Sequence, residues 1–350
     1  MLMRRNLLRA VARIRDAIAM GPFFKRIAPA VALFFLSPLI AEFLLGDFPI
    51  TMIGLLLALA PFYGGGAILI REITRRAGRG WPTILTLALA YGILEEAFTT
   101  QTLFNPDYLG LHLHLLEPAF IPALGISAWW TIFVLTLHTV WSISVPIAIV
   151  EALVPRRALT PWLKGLGLGI VSVLFLLIAS IMTMRSIQTD SHHFMASRTQ
   201  FVVSALCCVA IAAAAFFLPR ARHERHPGNP PSPWITGALS LAACSVFLIA
   251  PRNWGWGAVA IYLALDLVII GAAATWSRLD GWNGLHTLSL AGGAALAYAW
   301  HAFIQQPVTG KADAPMRIGN AVLAAGTVLL LYSAALRSSK VLSPKTPLQV

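Results

Sequence analysis

The sequence predicts an all-α fold, a polytopic transmembrane helical bundle of about ten spans. Three observations predict it. The 350-residue chain is 58% hydrophobic and only 11% charged, with a mean hydropathy of +0.75, whereas a soluble domain carries about 25% charged residues. Apolar runs of roughly the 20 residues a bilayer requires recur along its length. Lys and Arg gather in alternate connections, as the positive-inside rule demands.

Residues 1–26 are basic, with Leu7, Val11, Ile14 and Ile18 at helical spacing. They are expected to form an amphipathic helix on an anionic membrane face, a disordered basic tail being the plain alternative. The apolar run that follows is too long for a cleavable signal. Spans are expected at 27–45, 52–70, 82–104, 128–154, 163–184, 199–218, 234–251, 257–276, 284–304 and 317–337. The charged, Pro-rich segment 219–233 reads as a linker. It divides a six-helix membrane core (27–218) from a four-helix membrane module (234–337), which a tail (338–350) follows.

Lys and Arg set the orientation. Seven lie in 1–26, four in 71–81, three each in 155–164, 219–233 and 337–350, and one in 277–283. The alternate connections hold only Arg185, Arg198, Arg252, Lys311 and Arg317. Both termini are therefore expected in the cytoplasm. This asymmetry explains a sequence pI near 10.4 without a nucleic-acid partner. Cys207, Cys208 and Cys244 all lie in apolar runs and suggest neither a disulfide framework nor a zinc motif. The connection 105–127 has no Lys or Arg and is too apolar for a solvated loop. A re-entrant or interfacial segment over the outer bundle mouth is expected there.

The candidate site lies in the third span, where YGILEEAFTTQTLF (91–104) sets Glu95 and Glu96 side by side. An ionisable group at membrane depth costs roughly 2.5–3.5 kcal/mol on insertion scales. Such a pair must therefore face protein or water. At 1.5 Å per residue, Glu95 lies about 14 Å below the outer end of its span. His138 lies about 15 Å below the outer end of the next, so the two share a level. Glu95 shares a face with Tyr91, Phe98, Thr99 and Thr102, and His138 with Trp141, Ser142 and Val145. The run Thr99–Thr102 makes the outer turn polar on every side, which predicts a crevice open to the outside. His192 and His193 precede the sixth span on the outer side, Asp266 lies mid-span, and Glu42 and His301 lie near outer ends. Glu151, deep in span 4, is expected to pair with Arg156 or Arg157.

Two carboxylates in low dielectric cannot both ionise cheaply, which leaves one protonated and one able to act as a base. With a histidine to deliver a second proton, they suffice for water-mediated amide hydrolysis. The same set could bind a divalent metal or relay protons. HExxH is absent, so a zincin-type site is not supported.

These residues resemble the CPBP family, membrane proteins of the CAAX prenyl endopeptidase and bacteriocin-processing type. That family carries EExxxR on one span, FxxxH on the next and an HxxxN-like motif two spans later. Glu95–Glu96 match the acidic pair, His138 the first histidine, and His192 or His193 the second. Thr100 stands at the motif's Arg, Val134 at its Phe, and Ala196 or Ser197 at its Asn. The likeness covers about residues 80–220. It implies an intramembrane endopeptidase in which Glu95 or Glu96 activates water and His138 and His193 assist, with Thr99, Ser142 and His192 expected on the substrate side. It implies no obligatory cofactor, although a divalent metal fits the residue types. The Ala, Arg and Trp usage is similar to that of polytopic membrane proteins of high-GC bacteria, so the expected place is the bacterial cytoplasmic membrane. The expected partners are lipid and a peptide or membrane-protein substrate.

Two other readings remain open from the residues. One is a proton-coupled transporter using Glu95, Glu96, His138 and Asp266. The other is a non-catalytic scaffold whose buried polar groups only set helix register.

Overall fold

The computed structural model describes residues 22–190, 194–218, 225–308 and 312–342. Most of the basic segment 1–26, together with His192, His193 and the start of the 219–233 linker, lies outside them. The described residues are mostly helical, and their one sheet is a hairpin of two-residue strands.

Helices stand where the sequence has its apolar runs. α1 (Pro22–Pro38) continues as π-helix over Leu39–Leu44, and α2 covers Leu55–Arg76. α3 (Trp81–Leu94) runs into π-helical Glu95–Thr99. α4 (Ala128–Leu137), π-helical His138–Ser144 and α5 (Val145–Leu153) form one unbroken rod. α6 (Gly165–Arg185) ends in π-helical Ser186–Asp190. After it come α7 (Arg198–Ala214), α8 (Pro233–Ile249), α9 (Trp256–Trp276), α10 (Gly284–His301) and α11 (Ala314–Leu342). Six stretches are long and apolar enough to cross a membrane by length and composition: Phe24–Leu44, Leu55–Arg76, Ala128–Leu153, Gly165–Gln188, Trp256–Trp276 and Ala314–Val341.

Helix starts follow from local chemistry. Ser127 accepts from Trp130 N at the head of α4. α7 opens on a capping box between Ser197 and Gln200, and Ser232 and Asn283 cap α8 and α10. Each supplies an acceptor for an otherwise orphaned backbone donor.

The rod 128–153 is the common wall of the bundle. One face (Trp141, Val145, Ala148, Ile149) packs on α8 to α11. There Trp141 stacks on Tyr298 with centroids 4.4 Å apart and donates to the Ala294 carbonyl at 2.8 Å. Another face (Ile143, Ile147, Val150) joins Leu33, Phe62, Ile84 and Phe175 in a second core. Val134, nearer the start of the rod, enters a third core with Ile93, Ala97 and Phe104. Two contacts need glycine because backbones meet. A Cβ on Gly64 would lie 2.0 Å from the Phe34 carbonyl oxygen, and one on Gly293 would lie 2.4 Å from that of Gly237.

Several boundaries differ from the sequence reading; the third span, expected to reach 104, leaves the helix after Thr99, and α7 ends at Ala214 instead of 218. α2 does not end at residue 70 but continues to Arg76, so charges expected in a connection lie on a helix. α11 extends to Leu342, into the segment expected as a tail. The connection 105–127 forms the hairpin, with Phe120 opposite Ser127, and buries Leu115 and Ala119. Arg252, before α9, donates to the carbonyls of Leu113 and His114 and ties this segment to the C-terminal helices.

Replacing Gly64 or Gly293 with Val should lower stability by about 1–3 kcal/mol through overpacking. Gly271→Ala, whose Cβ meets nothing within 4 Å, should not. Thermal unfolding midpoints in detergent check this.

Candidate active site

Glu95, Glu96 and His138 come together inside the bundle, with 2%, 4% and 7% of their surfaces exposed. Close approach of α3 to the rod makes this contact. Gly92 leaves room there, since a Cβ on it would lie 3.3 Å from His138 Cβ and 3.2 Å from Leu135. His138 Nε2 is 2.8 Å from Glu96 Oε1. Nδ1 is 3.0 Å from Glu95 Oε2 and shares a 3.1 Å hydrogen bond with Ser142 Oγ. The imidazole thus sits between the two acids.

Hydroxyls complete the network. Tyr63 of α2 donates to Glu95 Oε1 at 2.6 Å, and its ring stacks on His138. Glu96 Oε2 accepts from Thr100 at 3.1 Å and from Thr102, which in turn accepts from Trp130 Nε1 at 2.9 Å. Half-buried Glu42, from the π-helical end of α1, faces Tyr63 and His138. Of the buried polar atoms left without a hydrogen bond among the described residues, two belong to the site: the hydroxyl of Tyr91 and Glu95 Oε2, the latter in ionic contact with His138 Nδ1 at 3.0 Å. Tyr91 lies one turn before Glu95 and faces it. A buried polar atom left without a hydrogen bond in a native fold calls for an explanation.

The backbone is irregular at the same place. Glu42, the Glu95–Glu96 pair and His138–Ser142 all lie in π-helical stretches. The π-helical end of α6 reaches the same turn, where Ser186 Oγ donates to the Thr100 carbonyl at 3.4 Å. Such bulges interrupt an otherwise better-bonded helix and concentrate at functional sites. Gln101 follows with φ of +57°, which is costly for a residue with a Cβ. Its side-chain oxygen accepts from Ala196 N at 2.8 Å, so the strained turn holds the segment leading into α7.

Some expected members lie elsewhere. Thr99 is buried, but the hydroxyls bonded to the acids are those of Thr100 and Thr102. Asp266 accepts from Thr136 at 3.2 Å. Thr136 and His138 are two residues apart on a helix and so point to nearly opposite faces, which leaves Asp266 outside the cluster. Glu151 pairs with neither Arg156 nor Arg157. It takes Arg71 Nε at 3.1 Å and Arg75 at 2.7 and 2.9 Å, because α2 carries both guanidinium groups alongside α5. Arg157 instead donates to the carbonyls of Lys25 and Arg26. Arg71 also bonds Glu72, and its guanidinium lies 3.4 Å over the Trp162 ring. Glu72 in turn accepts from the backbone of Trp162 and Leu163.

Sequence reasoning missed Tyr63 in the site, and Arg71, Glu72 and Arg75 in the second network. Tyr63 sits in an apolar run with no polar neighbour to mark it, and the three charges were counted with a connection.

A family model matches residues 31–342. The chain belongs to that uncharacterized membrane protein family. The match runs from α1 to the end of α11, so the helices before and after the linker form one family unit. No curated protein and no solved structure matches the chain.

The residue types at the site suit a divalent ion, and ligand atoms of Glu95, Glu96 and His138 lie within 4.8 Å of one another. The orientation suits proton transfer better. The two ring nitrogens point at different acids, so a single ion on one nitrogen would have to draw the far carboxylate across.

His138→Ala should cost about 3–5 kcal/mol, because it leaves two buried acids without their shared partner. Glu96→Gln in that background should recover part of the loss. Unfolding midpoints of the two single variants and the double variant measure the coupling.

Proposed function

We propose that this membrane protein is a CPBP-like intramembrane hydrolase that cleaves a peptide bond with a glutamate-activated water. We take ten spans from the apolar runs, both termini inside from the distribution of Lys and Arg, and a bacterial cytoplasmic membrane from the Ala, Arg and Trp usage. The observation that carries the chemistry is Glu95 Oε2, buried against His138 Nδ1 at 3.0 Å and faced by the Tyr91 phenol. A carboxylate oxygen with a free lone pair can take a proton from water. In the same low-dielectric site, a free phenol can donate to a developing oxyanion.

Each group then has a role. Glu95 is the base: the water oxygen bonds to the scissile carbonyl carbon as its proton moves to Glu95. Glu95 passes that proton to His138 Nδ1, 3.0 Å away, and the imidazolium gives a proton to the leaving amine as the C–N bond breaks, which restores both groups. Glu96 holds the imidazole, itself fixed by Thr100 and Thr102. Ser142 steadies Nδ1. The expected assistance of His193 and the substrate-side placement of His192 remain part of the proposal. The described residues after them, Phe194–Ser197, are held to the outer end of the site by Gln101.

A second reading has one observation in its favour. Tyr63, Glu95, His138, Glu96, Thr102 and Trp130 form an unbroken chain of polar contacts. Such a chain suits a proton-coupled transporter, although its relay would run without Asp266.

The test is cleavage in proteoliposomes holding the full chain and extracted bacterial membrane proteins, with new N-termini as the readout. Glu95→Gln should lower cleavage by about 10²–10⁴-fold, the usual worth of a general base. Tyr91→Phe should lower it by about 10²–10³-fold if the phenol serves the oxyanion. Cleavage by Glu95→Gln at the wild-type rate would overturn the proposal. Uncoupler-sensitive solute uptake without cleavage would favour the transporter.

A further inference from the structure

A cavity of about 550 Å³ opens where the two halves of the chain meet. It lies among the ends of helices: Arg75 ending α2, Trp81 starting α3, Ala152 near the end of α5, Ala274 near the end of α9, Gly284 starting α10 and Val341 near the end of α11. Those ends all adjoin connections on the side that carries most of the Lys and Arg, so this is the cytoplasmic side in the proposed topology. It is the opposite side from the outer turn above Glu95.

The wall has two parts. Most of it is apolar, formed by alanines of the rod and of α9 together with Trp81 and Trp282. The rest is basic. Arg225 and Arg278 are exposed and line the cavity. Arg225 is steadied by donating to the Asp280 carbonyl at 3.2 Å. The Arg278 side chain makes no hydrogen bond or ion pair among the described residues. The acid on the wall, Glu151, offers these arginines no compensation, because Arg71 and Arg75 already take both of its oxygens. The N-terminus of α10 adds the positive end of its dipole at Asn283 and Gly284.

A cavity with apolar walls, interfacial tryptophans and unneutralised arginines at the cytoplasmic surface fits one kind of occupant. We propose that it binds an anionic phospholipid, with the phosphate held by Arg225 and Arg278 and the acyl region lying along Ala148, Ala152 and Ala274. Basic pockets between helices on this side of a membrane take anionic head groups for the same reason. The proposal rests on the topology and not on the chemistry at Glu95. The bound lipid would join α2, α3 and α5 to α9, α10 and α11 beneath the site.

The test uses the full chain in detergent, titrated with phosphatidylglycerol, phosphatidylcholine or inorganic phosphate. Binding is followed by native mass spectrometry and by the unfolding midpoint. Phosphatidylglycerol should bind and stabilise, and the other two should not. Arg225→Gln with Arg278→Gln should weaken binding roughly thirtyfold, at about one surface-charge contribution per arginine. The corresponding double Lys variant should retain it. Ala274→Trp, which fills the cavity and leaves every charge in place, should also lose the lipid. Equal stabilisation by phosphatidylcholine or by phosphate alone would overturn the proposal. So would unchanged phosphatidylglycerol binding in either the double Gln variant or Ala274→Trp.

Discussion

The imidazole of His138, held between the carboxylates of Glu95 and Glu96, is the contact around which the rest of the bundle is arranged. Three ionisable groups are buried there in helices that otherwise read as apolar. Each would be expensive alone. Together they are tolerable because each supplies what the others lack, and because hydroxyls reach them from α2 (Tyr63), from the rod (Ser142) and from the turn after Thr99 (Thr100 and Thr102). That demand brings α2 and α3 against the rod. It also accounts for glycine at position 92, where a Cβ would crowd the side chains of Leu135 and His138.

The same rod carries a second buried electrostatic group. Glu151 lies thirteen residues beyond His138, about 20 Å along the helix, and is gripped by Arg71 and Arg75 of α2. α2 is therefore fastened to the rod at both levels, by a tyrosine at one and by arginines at the other. The two networks differ in kind. In the Arg71–Glu72–Arg75–Glu151 group each carboxylate oxygen has a donor, and the group has the character of a structural lock. At Glu95 one oxygen takes no hydrogen bond and touches only the His138 ring nitrogen. That difference sets the Glu95 carboxylate apart from those of the second network.

Much of this was legible in the sequence. The positions of the helices follow from the apolar runs. The matching depths of Glu95 and His138 follow from rise per residue, and the pairing of His138 with Ser142 from helical spacing. What was not legible was adjacency between helices distant in sequence. Nothing near Tyr63 marks it as a partner of Glu95, and nothing near Thr136 says that Asp266 lies across from it. Arg71 and Glu72 were misplaced for a different reason. A run of charges at the end of an apolar stretch looks like the start of a loop, and only a buried partner such as Glu151 shows that the helix continues. The π-helical turns left no mark in composition, since they arise from what the backbone must do to bring side chains together.

Those turns have a consequence for how the family can vary. A π-helical stretch places one more residue in a turn than an α-helix would, so whatever follows is rotated by about 100° relative to an unbroken α-helix. In the rod, the stretch His138–Ser144 lets one helix present His138 to the acids and still direct Val145 and Ile149 into the core shared with α8 to α11. Loss of a single codon there would therefore act on the molecule far more severely than most replacements of a side chain. The helix could remain a helix, but its two ends would no longer address the same two neighbours. Spacing between His138 and Val145, more than the identity of the residues between them, is what inheritance has to preserve.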